Sequence, residues 1–237
     1  MKQNAYWTVF IGFVIFSSCR TSKETAQYQL SNGHYKVKLS GQAKRTFYVN
    51  NDDDTISVHL VNQQTKFIDT LNNFKKTFPQ VTSNFSVIPV VFKQTSFDID
   101  FLTIPFKYRP VQNDFSRQFN TNLNGAVYVG YRSDIYQLQY KKTPFQNFAR
   151  QTTHYGLSVG IFTGLGGTTM NPSVTNNQIA VEYDGVVWSK GIAGIIGINN
   201  FTIGLAFGYD QLLDPNKMFW LYQGKSWLGL AFGLNIN

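Results

Sequence analysis

The constraint that reaches furthest lies at the C-terminal end of the chain. Two strings, Leu205-Ala206-Phe207-Gly208 and Leu230-Ala231-Phe232-Gly233, repeat the same four residues inside longer alternating runs. In the first run Phe201, Ile203, Leu205, Phe207 and Tyr209 share one face, and Thr202, Gly204, Ala206, Gly208 and Asp210 share the other. In the second, Leu228, Leu230, Phe232, Leu234 and Ile236 oppose Trp227, Gly229, Ala231, Gly233 and Asn235. Strict period-two alternation predicts strands. A soluble half-buried strand would carry Lys, Glu, Arg and Thr on its second face. Here that face is mostly Gly, Ala and Asn, which suits the interior of a narrow closed barrel. The long apolar side chains are therefore expected to face lipid, with Leu205, Phe207, Leu228, Leu230, Phe232 and Leu234 as the clearest cases. An open sheet in a bilayer would leave edge N–H and C=O groups without partners, so spanning strands require closure.

Composition agrees with this reading. Charged residues make up 14% of the 237, against about 25% in a typical globular chain. No apolar run of helix-spanning length follows the first twenty residues, because barrel strands interleave polar with apolar positions. Strands are expected at about 84–92, 97–108, 122–131, 135–142, 154–164, 187–198, 201–210 and 226–237. Pro89 and Pro105 each remove a ladder donor, so each is expected at a bulge, an end or an unpaired position. The fold class is all-β: a small antiparallel up-and-down membrane β-barrel of about eight strands, residues 84–237. A small β-rich segment and connector, residues 34–83, precedes it. Asn50-Asn51-Asp52-Asp53-Asp54 is turn chemistry and lacks the glycine and distant Glu of a calcium loop, so it is expected as an exposed hairpin tip.

Residues 1–18 form a signal peptide, with Lys2 as the positive region and Trp7 to Phe16 as a short apolar core. Phe16-Ser17-Ser18-Cys19 resembles the lipobox of bacterial lipoproteins, with Phe16 where Leu is usual. The resemblance implies cleavage before Cys19 and acylation of that residue, the only cysteine in the chain. Residues 19–33 are then a lipid anchor and polar tether. The mature chain keeps 20 basic and 13 acidic side chains, a net charge of about +7. This charge is scattered and no recognition motif accompanies it. Anionic lipid or another envelope polyanion is therefore the expected partner rather than nucleic acid.

Phe101-Leu102-Thr103-Ile104-Pro105-Phe106-Lys107-Tyr108-Arg109, a loop, and Gly125-Ala126-Val127-Tyr128-Val129-Gly130-Tyr131 together resemble a pattern in small Gram-negative outer-membrane β-barrel proteins. The resemblance covers roughly residues 97–237. It implies fold and outer-membrane location and carries no catalytic residues. Periplasmic termini then make the Asn199-Asn200 turn periplasmic and loops 165–186 and 211–225 extracellular. Met218, Phe219, Trp220, Leu221 and Tyr222 in the second loop read as part of an aromatic girdle.

Little points to chemistry. The glycine-rich run Gly160 to Thr169 lacks the Lys-Ser/Thr and the helix of a phosphate cradle, and reads as a strand end entering a loop. His34, His59 and His154 have no metal-ligand spacing. No metal or cofactor is expected. His154 and Ser158 share a face, with Asp98, Asp100 or Glu182 as candidate acids, and are the only catalytic candidates. The leading expectation is a non-enzymatic outer-membrane lipoprotein that contacts outer-membrane lipid and envelope protein partners. Two other readings stay open: a lipid-modifying barrel enzyme, and a soluble lipocalin-like periplasmic lipoprotein carrying an apolar ligand.

Overall fold

A computed structural model of the chain describes residues 30–39, 43–52, 54–69, 74–83, 89–111, 117–199 and 201–235. The expected signal peptide, Cys19, most of the tether and the side chain of Leu234 lie outside the described residues.

The described chain is all-β and antiparallel. Its strands are β1 (Gly33–Lys38), β2 (Arg45–Asp52), β3 (Thr55–Leu60), β4 (Lys75–Pro79), β5 (Val81–Thr82), β6 (Val90–Arg109), β7 (Gln118–Asn120), β8 (Asn124–Lys142), β9 (Phe148–Met170), β10 (Tyr183–Ile198), β11 (Phe201–Leu212) and β12 (Ser226–Asn235). From β8 onward each strand pairs with the next, and β12 pairs back onto β6. Six strands thus close a ring: β6, β8, β9, β10, β11 and β12, with the short β7 pairing beside the end of β6.

Six differs from the expected eight for one reason. The polar runs at 93–96 and 132–134 look like turns in the sequence. In the fold they lie in mid-strand and face each other, Gln94 opposite Asp134, Thr95 opposite Ser133 and Ser96 opposite Arg132. Two pairs of expected strands are therefore two single long ones. With β9 they run 19 to 23 residues, about 60–70 Å at 3.3 Å per residue. This is roughly twice the 9–11 residues a membrane-crossing strand needs.

The surplus length builds a second unit. The first half of β6 pairs with β1, and β1 through β4 follow in order. The chain then passes through Gln80 into β5, which pairs with Phe148 and Ala149 at the start of β9. The N-terminal strands therefore share β6, β8 and β9 with the ring rather than forming a sheet of their own. Their core is apolar: Tyr35, Val37, Phe47, Val49, Ile56, Val58 and Phe92 are buried together. β2 and β3 pair antiparallel up to Asp52 opposite Thr55, at the expected hairpin tip; Asp53 of that tip lies outside the described residues.

The ring interior is filled. Trp227, Phe162 and Tyr128 occupy it with Leu102, Ile104 and Ile195, and the Phe162 and Trp227 rings lie 5.8 Å apart. Small residues face each other in register around them, including Gly130 with Gly160, Ala126 with Gly164 and Ala193 with Ala206. The approach is close enough to demand glycine at some of these positions. A Cβ on Gly164 would sit 2.1 Å from the Gly125 carbonyl oxygen.

Both prolines sit where a missing donor is tolerated. Pro89 immediately precedes β6. Pro105 lies at a bulge: Leu230 pairs with Phe106 but Phe232 pairs with Thr103, so β6 carries one extra residue there.

Candidate functional site

Three features of the ring could carry function: its outer surface, a charged cluster near the loop end, and a polar cluster at the waist where the two units meet.

The outer surface is apolar on all six strands. Phe97, Ile99 and Phe101 lie exposed on β6, Val127 and Tyr131 on β8, and Leu157, Val159 and Ile161 on β9. Ile192, Ile196 and Ile198 continue the surface on β10, Ile203, Leu205 and Phe207 on β11, and Leu228 and Phe232 on β12. Leu205 is 68% exposed and Leu228 55%, values that would be costly in water over so continuous an area. Leu230 lies on the same face, partly covered. Aromatic side chains bound the belt, with Trp188, Tyr209 and Tyr108 toward the loops and Tyr131, Tyr155 and Phe201 toward the waist. From Trp188 to Ile198 the strand advances ten residues, roughly 25 Å along a ring axis once tilt is included. Lys190 points outward at the upper edge, where its ammonium lies 4.6 Å from the Trp188 ring centre.

The charged cluster was hidden from sequence reasoning by the Pro105 bulge. Before it, the even-numbered residues of β6 point inward, through Asp98, Asp100, Leu102 and Ile104. Carried on, that parity would aim Lys107 and Arg109 outward. The extra residue reverses it, and both side chains are buried inside the ring. Lys107 Nζ donates to Asp210 Oδ1 at 2.9 Å, Ser189 Oγ at 2.9 Å and Asn124 Oδ1 at 2.8 Å. Arg109 Nη2 donates to Asp210 Oδ2 at 2.6 Å, and Nη1 to Thr168 and Gln118. Ser189 Oγ donates to Asp210 Oδ1 at 2.6 Å. Aromatic faces complete the shell: Lys107 Nζ is 4.5 Å from the Trp227 ring, and the Arg109 guanidinium is 5.0 Å from Trp220 and 5.2 Å from Tyr222.

Trp220 and Tyr222 thereby depart from the expected girdle. They come from the loop between β11 and β12, turn inward and are buried with Met170, Val174, Val187 and Leu212. The loop is a stopper over the end of the ring. Met218 and Phe219 from the same loop remain exposed. The glycine-rich run at 160–169 stays in strand to Met170, so the loop before β10 is shorter than expected.

At the waist, His154 is fully buried and its Nε2 lies 2.7 Å from Asp134 Oδ1. Arg132 Nε donates to the same oxygen at 2.9 Å, and the His154 ring stacks on Tyr136 at 4.6 Å. Ser158 Oγ instead bonds Tyr128 OH at 2.8 Å. His154 and Ser158 share an inward face, but four residues of strand place them about 13 Å apart. A nucleophile and its base need hydrogen-bond contact, and this pair does not make it. Asp98 faces Arg132 at 3.9 Å, and Glu182 is exposed at the opposite end of the ring. The arrangement is a hydrogen-bonded clasp where the interiors of the two units meet.

No family of known sequences, no curated protein and no solved structure matches the chain.

Proposed function

We propose that this chain is an outer-membrane β-barrel lipoprotein: the six-stranded ring crosses the bilayer and the N-terminal unit stands in the periplasm. Its role is that of a non-enzymatic component of the cell envelope. The observation that carries the reading is the apolar belt, continuous over six strands, about as tall as a hydrocarbon core and edged by aromatic residues. Most long apolar side chains of the ring point out, and those inside are packed against one another, whereas a lipocalin-like carrier needs them lining an open cavity. The lumen is packed with side chains, which argues against a diffusion pore. His154 and Ser158 are each committed to a different partner, which removes the motive for an enzyme.

Cys19 fits the same placement. Leu30, eleven residues on, accepts a hydrogen bond from Asn51 Nδ2 at the end of β2 nearest the waist. Eleven residues span at most about 40 Å, so an acylated Cys19 has the reach to enter the bilayer that holds the belt.

The test is extraction and gel mobility. The full chain should stay with membranes through an alkaline wash and should migrate as a compact band unless boiled. Complete release by alkali, or one mobility under both conditions, contradicts the reading. A palmitate analogue should label the wild type and leave Cys19→Ala unlabelled.

A further inference from the structure

The end of the N-terminal unit farthest from the ring is strongly basic. Lys38, Lys44 and Arg45 stand exposed at the β1–β2 hairpin. Lys75 and Lys76 open β4 at the same end, while exposed Lys66, in the loop after β3, lies over the outer flank with its carbonyl oxygen 3.2 Å from His34 Nε2. Lys141 and Lys142 close β8 at the same end, next to the turn into β9. The acid described there is Asp69. Asp52 and Asp54 lie at the other end of the same strands, toward the waist. None of these basic side chains enters an ion pair among the described residues. Charge is thus segregated along the axis, and the basic groups repel one another unless an anion sits among them.

Two exposed aromatic side chains accompany these groups, one at the same end and one on the flank. Phe145, at the tip of the β8–β9 turn, is 86% exposed, and Phe67, beside Lys66, is 78% exposed. Exposed rings set among ammonium groups suit a partner with both apolar faces and negative charge. A bilayer surface has both, but the bilayer holding the belt is out of reach: the belt and the basic end lie at opposite ends of β6, β8 and β9. A carboxylate-bearing glycan also has both, since sugar rings present C–H faces that pack on aromatic rings while the carboxylates meet Lys and Arg.

We infer that this basic, aromatic-tipped end docks on an anionic glycan polymer of the cell-wall type, so that the protein links a membrane to that polymer. The inference rests on the proposed placement of the ring in a membrane. Ammonium groups gather the polymer electrostatically, and Phe67 and Phe145 supply the short-range contact. Binding should therefore weaken with salt.

The test uses the full chain held in zwitterionic nanodiscs and sedimented with insoluble murein sacculi, with amidated sacculi and anionic lipid vesicles as further arms. Wild type should co-sediment with untreated sacculi and lose binding when the carboxylates are amidated. Reversing Lys75, Lys76, Lys141 and Lys142 to Glu should weaken binding by at least about tenfold. Phe67→Ser with Phe145→Ser should weaken it without changing its salt dependence. Each variant is checked for the heat-dependent gel shift, which reports an intact ring. A folded charge-reversed variant that still binds like wild type overturns the inference. So does capture by anionic vesicles with none by sacculi. Failure to enter nanodiscs would count against the membrane reading alone, and sedimentation in neutral detergent would then test the basic end by itself.

Discussion

Lys107 Nζ stands 2.9 Å from Asp210 Oδ1 inside the ring, with both side chains sealed from solvent. The contact joins β6 to β11 across the intervening β12, and Asp210 also neutralises Arg109. Removing the acid leaves two cations buried together, at a cost of about 3–5 kcal/mol. Asp210→Asn should therefore lower the temperature at which the compact gel band is lost. Lys107→Met combined with Asp210→Leu should recover only part of that loss, because one of the two stranded cations is gone while buried Arg109 still lacks its carboxylate.

The bulge at Pro105 decides where those charges point. Deleting Pro105 restores simple alternation and turns Lys107 and Arg109 to the outer face at the aromatic edge of the belt. The move costs each cation no more than about 1 kcal/mol there but strips Asp210 of both its buried partners, at about 3–5 kcal/mol. The deletion should give no heat-modifiable form. Pro105→Ala keeps the extra residue and should fold. A deletion variant that assembled normally would show that the bulge does not set the orientation.

Two glycines make a matched pair. Gly164 faces inward, and a Cβ there would meet the Gly125 carbonyl at 2.1 Å and the Ala126 Cα at 2.5 Å. Gly194 has nothing within 4 Å of the same position. Gly164→Ala should block assembly of the ring and Gly194→Ala should not, as read by the compact band in detergent micelles. Equal behaviour of the two would contradict the close packing of the lumen.

The N-terminal unit should fail in alkali before the ring does. Burial holds the Tyr35 phenol above its ordinary value, and its hydrogen bonds with Ser31 pull weakly the other way. Tyr136, stacked edge-on against it, is likewise raised by burial and by the charge of Asp134. A raised folded value favours the neutral phenol, so this stability is intact below about pH 10. It is lost as pH climbs through the folded values. Near-ultraviolet dichroism should fall above about pH 10, and Tyr35→Phe should move that fall upward while Tyr136 keeps it from vanishing.

Alternation made the ring's outer face legible in the sequence, since outward-facing and inward-facing sets differ in residue size as well as polarity. Leu205, Phe207, Leu228 and Phe232 all lie exposed on the outside. Two things were not legible. Strand length was hidden because Gln94 to Ser96 and Arg132 to Asp134 look like turns until each run is seen to pair with the other. The charged cluster was hidden because one extra residue reverses the parity of everything after it on β6. Pro105 signalled a bulge, but sequence alone does not show how the residues beyond it are aimed. Trp220 and Tyr222 looked like interface aromatics because nothing in the sequence places the Arg109 guanidinium beside them inside the ring.

The most direct measurement is the accessibility of spin labels on β11 in reconstituted vesicles. Single cysteines at positions 203, 205 and 207 in a Cys19→Ala background would carry the label, with position 211 near the loops as a reference. The account predicts that the first three collide readily with oxygen and poorly with a water-soluble nickel complex, with position 211 showing the reverse. Free access of the nickel complex to positions 203, 205 and 207 would place that face in water and contradict the account.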